Sequence, residues 1–139
     1  MAYFTSEQEV YDTLGKLFVD MVDDDELFGK FRKSNTIVQY RFHDPDSQIT
    51  VRMKEDEEPK VDLGATDLQP EVTMTMDADT AHRFWLGQVN VTVALARGQI
   101  KAKGPVAKVL RLVPLARPVF PRYEAQLKEQ GREDLVEVA

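Results

Sequence analysis

The chain of 139 residues has no cysteine, so disulfides, thiolate metal sites and cysteine nucleophiles are all excluded. Histidine is scarce: His43 and His82 are the only two, they lie far apart in sequence, and neither belongs to a spaced set of metal ligands. Each reads as a surface or boundary residue. Ser6, Ser34 and Ser47 are the only serines, and each suits a helix cap or a turn better than a nucleophile elbow. Gly87, Gly98 and Gly104 are isolated residues that suit helix ends and turns, so no glycine-rich phosphate cradle is present. No acid, base and nucleophile set stands out, and no enzyme activity, cofactor or metal is expected. The N-terminus lacks a basic-then-apolar leader pattern, and no apolar run approaches the ~18 residues needed to cross a bilayer. The cytoplasm is the expected location.

An excess of basic residues is lacking as well. The formal charge is -6 and the isoelectric point is near 4.9, which argues against nucleic acid as a partner. The charge is uneven, however. Acids crowd Asp23 to Glu26 and Glu55 to Glu58, while Lys101, Lys103, Lys108, Arg111, Arg117 and Arg122 make the C-terminal third locally basic. Those cations read first as a solvated face, and second as a point of transient contact with an anionic membrane or a ligand headgroup. With 42% apolar and 30% charged residues, a chain of this length is expected to form a single domain over 1–139 around one core.

The pattern of what is present changes period twice. Ser6 followed by Glu9 is a capping-box pair, and Val10, Leu14, Leu17, Phe18 and Met21 then recur at helical spacing. Asp23 to Asp25 suit the positive end of a second helix carrying Leu27, Phe28 and Phe31. From Thr36 the period becomes two. Val38, Tyr40 and Phe42 alternate with Gln39, Arg41 and His43, and after a turn at 44–47 the residues Ile49, Val51 and Met53 do the same. Val61 and Leu63, then Val72, Met74 and Met76, continue the alternation, so four strands share one apolar face and leave the other wet. Beyond them, Asp77 or Asp79 can cap a helix that Gly87 ends, and Asn90 opens a short helix closed by Gly98. Ile100 and Ala102 mark a fifth strand. Pro105 suits the first turn of a helix bearing Val106, Val109, Leu110 and Val113, and a final polar helix starts near Pro121. The fold class is α+β.

After the sheet the sequence carries a surplus of large apolar residues, among them Phe84, Trp85, Leu95, Leu115, Val119 and Phe120. Helical periodicity by itself means core packing. Met74 and Met76, adaptable in shape, suit either a core or a pocket for a flexible chain.

The segment 71–112, EVTMTMDADTAHRFWLGQVNVTVALARGQIKAKGPVAKVLRL, resembles the sterol carrier protein type two lipid-transfer domain. The likeness lies in the alternating strand, the acid-capped aromatic helix, Gly87 before a short helix from Asn90, and RGQIKAKG leading into an apolar helix. It departs from the family pattern at Arg97, at Pro105 and in the proline-rich tail. The resemblance implies a five-stranded, mostly antiparallel sheet covered on one face by helices, with an apolar tunnel between them. It implies a non-catalytic carrier of a fatty acid, acyl-CoA, sterol or phospholipid. On this chain the implied lining comprises Val51, Met53, Met74 and Met76 of the sheet, with Phe84, Trp85, Leu95, Val106, Val109, Leu110, Val113 and Phe120 of the helices. Arg111 or Arg117 would meet a headgroup. The alternatives are a filled-core interaction domain on the same fold, or an accessory domain presenting lipid to a separate enzyme.

Overall fold

The computed structural model describes residues 2–137. The first helix, α1, spans 7–22 as α-helix at Glu7–Val10 and Lys16–Val22 with a π turn at Tyr11–Gly15 between them. Ser6 Oγ accepts from the backbone N–H of Glu9 at 3.2 Å, as a cap should. The reciprocal half of the capping box is different from the expected one. The Glu9 carboxylate accepts from Thr5 N–H (3.1 Å) and Thr5 Oγ1 (2.8 Å), and it pairs with Arg132 at 2.8 Å. Helix α2, Asp25–Arg32, starts on Asp24, whose carboxylate accepts from Leu27 N–H.

Strands β1 (Thr36–His43), β2 (Ser47–Met53) and β3 (Lys60–Leu63) pair antiparallel in sequence order, with Val38 opposite Val51 and Tyr40 opposite Ile49. Strand β4 (Val72–Asp77) then lies on the far side of β1 and runs parallel to it, placing Met74 beside Tyr40 and Met76 beside Phe42. Strand β5 (Lys101–Lys103) pairs antiparallel with β4. The order is β3-β2-β1-β4-β5. Three of the four pairings are antiparallel. The parallel one follows from connectivity, because the segment 64–71 leaves one edge of the sheet and must cross β2 and β1 to begin β4.

Helix α3, Ala78–Trp85, issues directly from β4. Asp77 is its cap, accepting from Thr80 N–H at 2.6 Å, while Asp79 instead accepts from Tyr3 N–H. Helix α4 (Val91–Ala96) is capped by Asn90 and precedes β5. Helix α5 (Val106–Leu110) leads into a 3-10 segment, Val113–Val119, which contains Pro114 and Pro118, and α6 (Phe120–Glu129) follows. A last 3-10 turn occupies Glu133–Leu135. Gly104, at φ +103°, is required by a close approach: a Cβ there would strike the carbonyl oxygen of Glu71.

The apolar face of the sheet is covered as the alternation predicts, with Val38, Phe42, Val51, Met53, Met74 and Met76 all buried. The opposite face is drier than alternation alone suggests. Gln39 and Thr50 are buried on it and hydrogen-bond to each other, Gln39 Nε2 donating to Thr50 Oγ1 at 3.1 Å.

Two expectations need correction. His82 is fully buried, at 0% exposure, and not at the surface. Its Nε2 lies 2.7 Å from the Leu135 carbonyl oxygen, which can only accept, so Nε2 carries the proton. Nδ1 then accepts from the Tyr123 hydroxyl at 2.8 Å. The imidazole thereby ties α3 to α6 and to the C-terminal turn. Helix α6 is also less polar than it reads, since Tyr123 and Leu127 are both fully buried.

Candidate functional site

The helices do not close completely on the sheet. Between them lies an apolar cavity of about 70 Å³, measured as the space open to the centre of a water molecule. By that measure one water needs ~10–15 Å³, so the space holds about five. Strands supply Tyr40 and Phe42 from β1, Val51 and Met53 from β2, and Met74 and Met76 from β4. Helix α3 supplies Ala81, Phe84 and Trp85, and the region after β5 supplies Val109, Leu112, Val113 and Ala116. The N-terminal helices close the remaining side with Phe18, Met21, Phe28 and Phe31. All four methionines of residues 2–137 line this one cavity. Methionine has three rotatable bonds and a polarizable sulfur, so a narrow space walled by it can widen around a ligand at low cost.

No charged side chain lines the cavity. Its only side-chain nitrogen and oxygen atoms are the Tyr40 hydroxyl and the Trp85 indole N–H. Around them the rings form a connected wall: Phe18 lies 5.3 Å from Tyr40 and 5.4 Å from Trp85, and Phe84 lies 5.0 Å from Trp85 and 5.8 Å from Phe120, centroid to centroid. All but the tilted Phe18–Tyr40 pair are edge-to-face contacts, which hold the rings in place beyond simple burial.

An open cleft of about 740 Å³, by the same measure, adjoins the cavity. Phe84, Val91 and Val113 line both spaces and form the partition between them. Leu110, Phe120 and Arg117 belong to the cleft, and Arg117 is its one charged residue. Gly87, at φ +82°, lets the chain turn tightly over the Phe120 ring. Helix α5 is held over the cavity by an ion cluster at the end of the sheet. Lys54 pairs with Glu71, and Lys108 of α5 reaches the same carboxylate at 3.7 Å. These two ammonium groups, Lys54 above all, hold the Glu71 carboxyl below its ordinary range.

The structure thus brings Val51, Met53, Met74, Met76, Phe84, Trp85, Val109 and Val113 to the cavity, and Leu110, Phe120 and Arg117 to the cleft outside it. Leu95, Val106 and Arg111 line neither space. Leu95 packs on the core from α4, and Arg111 is exposed to solvent. The residues that sequence reasoning left out of the site are those of the N-terminal helices, Tyr40 and Phe42 of β1, and Ala81, Val91, Ile100, Leu112 and Ala116. Their signal was the apolar stripe itself, which shows that a helix docks but not whether the surface beneath it is filled.

Charge is segregated along the chain. From Thr80 to Tyr123 the chain carries eight Lys or Arg and not one Asp or Glu, leaving ten basic residues against twenty-four acids elsewhere. Lys108 and Arg122 are paired across to Glu71 and Asp24. Arg97, Lys101, Lys103, Arg111 and Arg117 are exposed and form no ion pair among the described residues.

A five-stranded mixed sheet carrying helices over an apolar cavity, with an open cleft at its side, defines an α+β protein built around an interior space. The sequence model of the SCP-2 sterol transfer family matches residues 16–117, well over half of the chain, and the chain belongs to that family. Solved structures agree on the fold. Sterol carrier protein 2 from Yarrowia lipolytica, in its apo form, is 16% identical with a TM-score of 0.62, over 75% of this chain and 87% of that one. The sterol carrier protein domain 2 of Helicoverpa armigera is 23% identical with a TM-score of 0.62, over 81% and 88%. The sec-alkylsulfatase Pisa1 from Pseudomonas sp. is 16% identical with a TM-score of 0.54, over 63% of this chain but only 14% of the enzyme. No curated protein sequence matches the chain.

Proposed function

We propose that this protein is a non-catalytic carrier that holds the apolar body of a single lipid in the cavity between sheet and helices. The observation that carries the reading is the cavity wall: nineteen residues, none charged, including every described methionine. The driving force is transfer of hydrocarbon from water, at ~0.8 kcal/mol per buried methylene. A chain of about 16 carbons offers roughly 12 kcal/mol before the costs of ordering and association, and micromolar affinity uses part of that. The methionine side chains swing aside to admit it. Native mass spectrometry of the purified protein, followed by lipid identification from the same sample, tests the reading. A stoichiometric co-purified fatty acid, sterol or phospholipid supports it.

The polar end of the lipid lies in the cleft beside Arg117, on the other side of the Phe84, Val91 and Val113 partition. Arg117→Ala is expected to weaken palmitate binding roughly fivefold, the scale of one solvent-exposed charge contact. Arg111→Ala, outside the cleft, should leave it unchanged, and neither should alter binding of an uncharged sterol. Equal effects of the two variants would remove Arg117 from the site. The unpaired cations between Arg97 and Arg117 suit brief contact with an anionic bilayer, which at about 1 M salt should disappear because charges are then screened beyond ~3 Å.

The small volume of the cavity favours a second reading, a filled-core interaction domain on the same fold. Protein that purifies empty and also fails to take up fluorescent lipids would support that reading over carriage.

A further inference from the structure

The cavity contains two polar side-chain atoms that the protein does not use. Tyr40 projects from the middle of β1, between Ile49 and Met74, and its hydroxyl makes no hydrogen bond among the described residues. Trp85, on α3, makes none through its indole N–H. Buried donors normally find partners, and leaving one unmade costs more than making it gains. Elsewhere the fold satisfies comparable groups carefully: the buried Tyr123 hydroxyl has His82, and the buried Gln126 amide donates to the Thr13 carbonyl at 2.9 Å.

The Tyr40 hydroxyl also has open surface beside it. It is not among the fully enclosed unpartnered atoms, of which Thr36 Oγ1 is an example. Tyr40 as a whole is half-buried, and its side chain lines the cavity. Burial pushes its pKa up to about 12, so the phenol keeps its proton at neutral pH and can donate to a ligand in the cavity that its side chain lines. The indole N–H can only donate. Both rings pack on Phe18.

Donors call for acceptors. A carboxylate or phosphate is the wrong acceptor here, since no Lys, Arg or His lines the cavity and an unpaired buried anion is prohibitively costly. We infer that Tyr40 and Trp85 select a lipid with an uncharged carbonyl oxygen within its apolar body, such as a ketone or ester, over a hydrocarbon of the same shape. The inference rests on the cavity being the ligand site. It adds a chemical requirement at the buried end of the ligand, distinct from the charged end at Arg117.

The test is competition, on the intact chain, between a fluorescent long-chain acyl probe and three competitors: 2-nonadecanone, 10-nonadecanone and nonadecane. At least one ketone is expected to compete about three- to tenfold better than the hydrocarbon, the scale of one neutral hydrogen bond. Tyr40→Phe or Trp85→Phe, whichever donor the ketone meets, should abolish that preference, read within each variant as the ratio of ketone to nonadecane competition. Tyr40→Phe keeps the ring and its contact with Phe18, so loss of the fold is not expected to intervene. Equal competition by ketones and hydrocarbon, or a preference that survives in both variants, overturns the assignment of the donors. Failure of the fluorescent probe and all three competitors to bind overturns it by removing the cavity as a ligand site, a result separable from the other two.

Discussion

Ala81→Phe is expected to remove lipid binding while leaving the protein folded. Ala81 is buried on α3 and its methyl group forms part of the cavity wall, so a benzyl group there projects into the empty space. If the ring displaces even three methylenes of a bound chain, the loss is about 2.4 kcal/mol, roughly fifty-fold in affinity. The cost to the fold is smaller, about 1–3 kcal/mol for overpacking, and is offset in part by filling the void. The chain's single tryptophan, Trp85, lines the same cavity, so its fluorescence on titration with palmitate gives the affinity directly. Thermal unfolding of the same sample reports the fold. Unchanged affinity in a folded Ala81→Phe protein would mean that the lipid binds elsewhere.

The second large effect concerns His82 and is one of stability. His82→Ala leaves a void in a closely packed site and deprives both the Tyr123 hydroxyl and the Leu135 carbonyl of a partner. Together these cost about 3 kcal/mol or more. Burial, more than anything else, lowers the His82 pKa, so the native state holds it neutral. The sign follows. Below the ordinary histidine value of about 6.5 the unfolded chain takes up a proton that the native site resists, and stability falls with pH until the native site itself protonates. Denaturant unfolding at about pH 7.5 and about pH 5.5 should therefore show a drop for the natural protein. The drop should be nearly absent in His82→Ala. The carboxylates whose pKa values are lowered, Glu9, Asp24, Glu71 and Asp134, lose their contributions only in more acid solution, below their unfolded values near 4. An equal drop in both proteins would show that His82 is not the titrating group.

His82 also shows where local reading of a sequence stops. Its partners lie forty-one and fifty-three residues away, so no spacing rule could have placed it in the core. Signals that act within one turn were legible. The caps at Asp24, Asp77 and Asn90, the left-handed Gly87 and Gly98, and the inward faces of β1, β2 and β4 all appear where composition and period put them. The parallel pairing of β1 with β4 was not, because alternation assigns a face and says nothing about neighbours. The same limit explains the site. Met74 and Phe84 were named through the family resemblance and not from their stripes, while Phe18, Met21, Phe28 and Phe31 carry an equally plain stripe and read only as packing. A cavity is a mismatch between two surfaces, and each surface alone looks like an ordinary core.

The acid-free stretch from Thr80 to Tyr123 makes the isoelectric point a poor guide to how this molecule behaves at an interface. A charged surface within a Debye length, ~8 Å at physiological ionic strength, senses the nearest patch and not the sum over the chain. At neutral pH the protein carries a formal charge of -6. It should nevertheless be held by a cation exchanger as well as by an anion exchanger, facing each with a different side. Retention on both would show that the basic stretch acts as a patch of its own, separate from the acids that set the net charge.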